Sequence, residues 1–143
     1  MGLLDIFKSK KTNYRVEMIE YVRSFMLSYI KEFPTAADAV IPIFSNANEM
    51  LKSVSEKDIR KMMESNRVNV ECGALNIIQN FAMTELKPQS AVSFLKGENY
   101  PFALYNYINE RKYNKGYISK QQYDENAMLA TKLSIHSPLG GWF

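Results

Sequence analysis

Residues 14–33 read YRVEMIEYVRSFMLSYIKEF, and this stretch decides the fold class of the chain. Its apolar side chains recur three and four positions apart, which is the period of one face of an α-helix. Pro34 ends the pattern, because the residue before a proline avoids the helical conformation. Since the apolar face is wide, we expect this helix to be the one that the others surround. Its apolar members are Met18, Ile19, Val22, Phe25, Met26, Tyr29, Ile30 and Phe33.

Helix starts elsewhere in the chain follow the rules of N-terminal capping. Ser55 stands three residues before Asp58, so its hydroxyl can accept from a free backbone amide of a first turn. Ser119 and Gln122 match a capping box, in which the serine caps one amide and the glutamine side chain reaches back to another. The glycine in segment 114–116 predicts a tight turn before that second helix.

The positions of the prolines, and the absence of strand-like alternation of apolar and polar residues, complete the fold prediction. Pro42 interrupts a helical pattern that begins near Asp38, which predicts a kinked helix or two short pieces. Pro88 suits the first turn of a separate short helix through Leu95, and Gly97 suits its left-handed end. No stretch alternates apolar and polar residues as a strand would. We therefore predict an all-α, compact single-domain bundle of six or seven helices with short connections and no significant sheet.

The composition excludes many classes of catalytic site. The chain has 143 residues, a net charge of +3, one cysteine and one histidine. Cys72 alone can form neither an internal disulfide nor a zinc site of several sulfur ligands, and His136 alone excludes internal sites that need two imidazoles. Neither residue has a catalytic partner nearby in the sequence, and no glycine-rich phosphate loop is present. We expect a protein without enzymatic activity, cofactor or metal.

The chain shows no secretory signal and no stretch that could cross a membrane. Its longest run without a charged residue extends from Cys72 to Thr84, which is shorter than the roughly 20 residues that span a bilayer. A reduced cysteine then favours the cytoplasm, with the inner membrane surface as a peripheral location. We divide the chain into a short amphipathic basic segment (1–12), a helical domain (13–135) and an aromatic tail (136–143).

The amino-terminal segment combines apolar and basic residues. Apolar side chains can line one face of a short helix and enter the headgroup region of a membrane, while each lysine adds about 1 kcal/mol near anionic lipid. In composition and order the segment is similar to short amphipathic membrane-active peptides. The other interpretation is a first helical turn packed on the bundle, followed by a solvated basic loop. The candidate membrane-surface residues are Leu3, Leu4, Ile6, Phe7, Lys8, Lys10 and Lys11.

The stretch from Tyr100 to Tyr123 holds six of the nine tyrosines, interleaved with basic residues. Tyrosines suit a protein interface, because each buries a large rigid ring while its hydroxyl stays hydrated. The same residues are consistent with ordinary packing, or with bases stacking on rings beside basic charge. Asp124 and Glu125 oppose the nucleic-acid interpretation, since they repel phosphate. Residues 114–123 resemble the short helical hairpin found at the end of many bacterial proteins, a likeness that implies docking or self-association and no activity.

The aromatic tail ends with Trp142 and Phe143, which directly follow Gly140 and Gly141. Such a tail can fold over the core of its own chain or insert into a groove of a partner. We therefore predict a non-enzymatic protein-binding domain, of the regulator, adaptor or immunity type, that presents a tyrosine-rich helical surface to another protein or a second copy. The alternative is a membrane-surface or nucleic-acid-associated protein that uses the amino-terminal segment and the basic tyrosine stretch. The candidate partner-binding residues are Tyr105, Tyr107, Tyr113, Tyr117, Arg111, Lys112, Trp142 and Phe143.

Overall fold

The computed structural model describes the backbone of residues 13–95 and 100–135, and the side chains of residues 13–87 and 100–134. Within these ranges the chain forms six α-helices and one 3₁₀ turn, and no strand, so the predicted all-α bundle is confirmed. The elements are α1 (Tyr14–Glu32), a 3₁₀ turn (Pro34–Ala36), α2 (Ala37–Ser53), α3 (Glu56–Ser65), α4 (Val70–Leu95), α5 (Tyr100–Asn114) and α6 (Lys120–Ile135).

Both predicted N-terminal caps are present. The Ser55 hydroxyl accepts a 3.1 Å hydrogen bond from the backbone amide of Asp58, and the Ser119 hydroxyl accepts one of 3.1 Å from that of Gln122. Each bond satisfies a backbone donor that has no partner inside the helix. The side-chain amide nitrogen of Gln122 donates to Asn126 one turn further on, at 3.1 Å. The cap at Ser119 is therefore formed, while the reciprocal half of the capping box has no counterpart among the described hydrogen bonds.

Neither internal proline divides a helix. Pro42 lies inside α2, and α4 runs without interruption past Pro88 to Leu95. The prediction of a separate short helix after Pro88 is wrong. A proline removes only its own amide from the helix ladder, and the bonds of neighbouring turns remain. The fully buried Leu86 holds the preceding turn of α4 against the core, which favours one continuous helix.

The helix at the centre of the bundle is α4, and the prediction that residues 14–33 would be central is wrong. Helix α4 packs against α1, α2, α5 and α6. Near its start, one glycine lets two neighbouring side chains approach closely. A Cβ atom at Gly73 would lie 2.9 Å from Sδ of Met63 and 3.0 Å from Cε of Met18, so α1 and α3 both use the space that this glycine leaves.

The connection between α5 and α6 has the predicted tight turn. Gly116 adopts a φ of +76°, which is unfavourable for residues with a Cβ. The amide of Gly116 donates to the carbonyl of Tyr113, and the amide of Tyr117 donates to that of Lys112 at 2.9 Å. This pair of bonds closes the end of α5 as a Schellman motif. The turn sets the direction in which Tyr117 leaves the helix.

Among the helices that the structure describes, none has both the length and the hydropathy of a segment that crosses a bilayer. The core is built from aliphatic, methionine and aromatic side chains of all six helices. One buried polar contact ties the last two helices together. Asn109 of α5 donates 3.0 Å to the carbonyl of Tyr123 and accepts 3.0 Å from the amide of Asn126 on α6. These bonds fix the angle at which α6 meets α5, and with it the exposed face of both.

Candidate functional site

The tyrosines between residues 100 and 123 do not form one surface. Tyr105 is 2% exposed and belongs to the core. Tyr113 and Tyr123 stack with their ring centroids 4.9 Å apart, and the Tyr113 side chain is partly exposed. The Tyr107 ring packs against that of Tyr29 on α1, whereas the Tyr117 hydroxyl contacts Glu71 at the start of α4. The predicted interface is thus divided into separate places, and Tyr105 has no accessible surface to offer a partner.

Lys112 is also inside the protein, with 6% of its surface exposed. Its Nζ donates a 2.7 Å hydrogen bond to Oε1 of Gln79, whose Nε2 donates 3.3 Å to the carbonyl of Tyr105. Burial lowers the pKa of Lys112, because an ammonium loses its hydration there. This side chain connects α5 to α4 and does not reach a surface where a partner could contact it.

A single carboxylate gathers several of the predicted residues. Glu71, in the first turn of α4, accepts a 2.5 Å hydrogen bond from the Tyr117 hydroxyl and a 2.9 Å bond from the Tyr21 hydroxyl. Lys115 lies 2.6 Å from both of its oxygens, and the Arg111 guanidinium lies 3.7 Å from Oε2. We call these five residues the Glu71 cluster. It joins α1, α4, the end of α5 and the following turn.

The charge of Glu71 is held strongly in this cluster. Partial burial raises the pKa of Glu71, but hydrogen bonds from Lys115, Tyr117 and Tyr21 outweigh burial and lower that pKa to about 2. Burial, together with the hydrogen bond to Glu71, raises the pKa of Tyr21. The carboxylate is therefore ionised and both phenols are neutral near pH 7. The cluster therefore connects three helices. It also places two cations, Lys115 and Arg111, beside one anion, Glu71.

An aromatic cluster lies next to this junction. Four of its rings are Phe25, Tyr29 and Phe33 of the α1 region and Tyr107 of α5. The ring of Tyr107 meets those of Tyr29, Phe33 and Phe25 edge-on, with centroids 5.2, 5.8 and 6.0 Å away. The fifth ring is the fully buried Phe44 of α2, which lies 6.0 Å from Phe25. Edge-to-face contacts of this kind each add about 0.5–1.5 kcal/mol beyond the area they bury.

A cleft opens between α1 and α5 where the two clusters meet. Its volume is about 90 Å³. Aromatic rings, hydroxyl groups and one guanidinium border it, so it is neither purely apolar nor purely polar. We call it the Arg111 cleft. The residues that line it are Tyr21, Ser24, Phe25, Ser28, Tyr29, Tyr107 and Arg111.

Arg111 provides the charge of this cleft. Its guanidinium carbon lies 5.7 Å from the centroid of the Phe25 ring, a cation–π distance. Its Nε is buried and has no hydrogen-bond partner among the described residues. The closest approach to Glu71 is 3.7 Å, which is beyond ordinary hydrogen-bond distance. The guanidinium is thus held in place by the Phe25 ring, by the Tyr21 hydroxyl and by Coulomb attraction to Glu71, which is not within hydrogen-bond distance.

Two serine hydroxyls on α1 complete the border. Ser24 and Ser28 are exposed and lie one helical turn apart, so their side chains share a face. Elsewhere in the described helices, the hydroxyls of Thr84 and Thr131 donate to the carbonyl four residues before them. Across the same described part, neither serine hydroxyl forms such a bond. Their donors are therefore available to a group in the cleft.

Cys72 is buried near the start of α4 and is free of disulfide bonds. Burial raises the pKa of its thiol, so the thiol is protonated at neutral pH. Its backbone amide donates a 2.7 Å hydrogen bond to Oδ1 of Asn69, which caps the start of α4. In residues 13–87 and 100–134 there is no group of three or more histidine, cysteine, aspartate or glutamate side chains placed to hold a metal ion.

Several predicted residues lie outside the described part of the chain. The membrane-surface candidates Leu3, Leu4, Ile6, Phe7, Lys8, Lys10 and Lys11 belong to residues 1–12, and Trp142 and Phe143 belong to residues 136–143. The same holds for His136. Their predicted roles remain predictions.

Sequence reasoning missed the α1 half of the site. Four aromatic residues recur every four positions, at Tyr21, Phe25, Tyr29 and Phe33, and that period marks a narrow stripe along one helix. Phe25, Tyr29 and Phe33 belong to the predicted apolar face of this helix, whereas Tyr21 is not among the residues predicted for that face. The four-residue period of these aromatic residues is visible in the sequence. The ring that packs against them, that of Tyr107, is far away in the chain and could not be assigned to them. Lys115 is one of the basic residues interleaved with the tyrosines, but nothing near it in the sequence indicates that it meets Glu71.

No protein-family model, no curated protein and no solved structure matches this chain. Its function must therefore be inferred from the geometry of the site. Of the predicted residues, the structure brings Tyr107 and Arg111 together at the cleft and Tyr117 beside Glu71. Tyr113 lies apart from these residues and stacks on Tyr123, while Tyr105 and Lys112 are buried.

Proposed function

We propose that this chain is a non-enzymatic protein-binding domain, of the regulator, adaptor or immunity type, that docks through the Arg111 cleft and the adjoining ring of Phe33. The observation that carries the proposal is a cleft in which aromatic rings, an arginine and two serine hydroxyls converge. Tyrosine and arginine are the side chains that most often contribute strongly to protein interfaces. Phe33 is 37% exposed at the edge of the aromatic cluster, where a partner side chain can cover it.

The rigidity of the surroundings supports this proposal. The Phe33 ring lies 4.9 Å from that of Tyr29 and 5.8 Å from that of Tyr107, so its exposed side is supported from behind. Phe25 and Tyr29 are buried below the cleft. A preformed surface loses little side-chain entropy on binding, which leaves more of the contact energy for affinity. Such a domain acts sterically, by covering or recruiting its target.

The contacts of the basic residues weigh against the nucleic-acid alternative. Lys112 is buried, Lys115 pairs with Glu71, and Lys120 lies 2.8 Å from Asp124. Binding to phosphates needs cations that are free to replace counterions. The membrane-surface alternative depends on residues 1–12, and co-sedimentation with anionic liposomes of the full chain and of a chain lacking those residues tests it.

The experiment is affinity capture from the native host with matched surface variants. Phe33→Ala removes the exposed ring, and Ser28→Gln places a longer side chain at the border of the cleft while preserving helix propensity. The control is Met128→Ala on α6, which removes an apolar side chain that is 69% exposed and does not line the cleft. Circular dichroism and thermal unfolding check that all four proteins are folded.

We expect a defined protein to be recovered with the original chain and with Met128→Ala, and to be reduced at least about tenfold with Phe33→Ala and with Ser28→Gln, as for a loss of roughly 1.4 kcal/mol. Equal recovery by all four proteins contradicts the proposed surface. Loss of recovery with Met128→Ala alone would place the docking surface on α6 instead.

A further inference from the structure

We infer that the Arg111 cleft recognises an acidic side chain of the partner protein, whose carboxylate lies against the Arg111 guanidinium and the hydroxyls of Ser24 and Ser28. The inference rests on the proposed function, because it specifies which group of the partner enters the cleft. It adds that the group recognised by the cleft is a carboxylate.

The charge at the cleft is unbalanced in favour of an anion. Lys115 contacts both oxygens of Glu71 at 2.6 Å and so pairs the charge of that carboxylate. Arg111, at 3.7 Å from Glu71, is the second cation beside the same anion. A guanidinium carries five N–H donors and binds a carboxylate in a two-point arrangement. Arg111 is attracted to Glu71 but is not hydrogen-bonded to it, so its N–H donors can still bind a carboxylate that enters from solvent.

The donors around this charge match a carboxylate as well. Ser24 and Ser28 present hydroxyls from one face of α1 toward the cleft that Arg111 borders from α5. The Tyr107 hydroxyl donates to Glu32 at 3.3 Å and is thus already engaged. Glu32 is exposed and does not line the cleft, so solvent weakens its charge there, although that charge still contributes to the raised pKa of Tyr29. The lining itself contains donors and one cation, and no carboxylate.

The size and the floor of the cleft favour a side chain over a larger anion. A volume of about 90 Å³ holds a carboxylate with its methylene groups, since a cavity of about 10–15 Å³ is enough for a single water. The rings of Phe25 and Tyr29 offer an apolar floor for those methylenes. Arg111 is the one cation among the lining residues, and one positive charge matches one carboxylate better than a phosphate dianion.

The test is a nuclear magnetic resonance titration of the full, isotope-labelled chain with three probes at constant ionic strength. They are a capped tripeptide with glutamate between two glycines, its glutamine counterpart, and inorganic phosphate. The readouts are the side-chain Nε–H signal of Arg111 and the backbone amide signals of Ser24 and Ser28. The variants are Arg111→Gln and the double variant Ser24→Ala with Ser28→Ala. The control is Arg23→Gln, which removes the same charge from an exposed position of α1 outside the lining.

We expect the glutamate peptide to bind at least about fivefold more tightly than the glutamine peptide, with Arg111→Gln removing this difference and Arg23→Gln preserving it. The serine double variant is expected to fold at least as well as the original chain, since alanine favours helices, and to bind the glutamate peptide several-fold more weakly. It keeps the test decisive if Arg111→Gln unfolds.

Two outcomes overturn the inference: equal binding of the two peptides, or phosphate bound more than about tenfold more tightly than the glutamate peptide. Its failure can be told apart from failure of the proposed function. If Phe33→Ala abolishes capture of a partner while the peptides bind equally, the docking surface stands and its acidic specificity does not. If the glutamate peptide binds selectively but no partner is captured, the cleft recognises carboxylates and the proposed function fails.

Discussion

The phenol of Tyr117 donates a 2.5 Å hydrogen bond to Oε1 of Glu71, a residue 46 positions earlier in the chain. This bond attaches the turn after α5 to the first turn of α4. The hydroxyl of Tyr21 brings α1 to the other oxygen of the same carboxylate at 2.9 Å. Glu71 therefore holds together the three elements that surround one end of the Arg111 cleft, and it positions Arg111 there by attraction.

We expect Glu71→Gln to lower the free energy of unfolding by about 2 kcal/mol, because hydrogen bonds to a charged acceptor are lost and a cluster with two cations remains. Glu20→Gln is the matched control, since Glu20 is an exposed glutamate of α1. Urea denaturation of the three proteins at pH 7 measures both effects. A loss no larger for Glu71→Gln than for Glu20→Gln would show that the cluster contributes little to stability.

The contribution of Glu71 should disappear at low pH. Its folded-state pKa of about 2 lies below the ordinary value of 4.5. A depressed carboxyl pKa stabilises the folded state above pH 4.5, and this stability is lost as the pH falls from there toward 2. The difference in unfolding free energy between the original chain and Glu71→Gln is therefore expected to shrink over that window. Urea titrations at several pH values measure it, and a constant difference would contradict the role of ionised Glu71.

The buried tyrosines should ionise late in an alkaline titration. Burial, followed by the negative charges of Tyr107 and Glu32, raises the pKa of Tyr29 to about 12. A raised phenol pKa stabilises the folded state fully below pH 10, and this stability is lost as the pH rises toward 12. Phenolate absorbance should show a late phase that Tyr29→Phe reduces by one tyrosine. The chain unfolded in guanidinium is the control, and an unchanged late phase in Tyr29→Phe would contradict the burial of this hydroxyl.

Gly116 provides a test of the turn that places Tyr117. We expect Gly116→Ala to lower the free energy of unfolding by about 1 kcal/mol, since a φ of +76° strains a residue with a Cβ. No heavy atom lies within 4 Å of the added Cβ, so crowding contributes nothing. Gly116→Asn is the matched variant, because asparagine tolerates this conformation better and should cost less. Chemical denaturation measures both, and equal losses would argue against backbone strain as the cause.

Local signals in the sequence were sufficient for the helix of residues 14–33 and for the caps at Ser55 and Ser119. Periodicity and capping depend on neighbours within one or two turns, so a single sequence contains the information. The turn at Gly116 was predictable for the same reason. The helix start predicted at Pro88 is wrong, because the effect of a proline on a helix depends on how firmly the turns on either side are packed.

The sequence by itself determined the all-α class, the apolar face of α1 and the scarcity of chemically reactive side chains. Only the tertiary structure decided which helix is central and which tyrosines are accessible. Tyr105 and Tyr107 are two positions apart, yet one is in the core and the other borders a cleft. Helical spacing shows which face of a helix is apolar, but it does not show which neighbour covers that face. The partners that decide this, such as Glu71 for Tyr117, are distant in the chain and come together only when the bundle is packed.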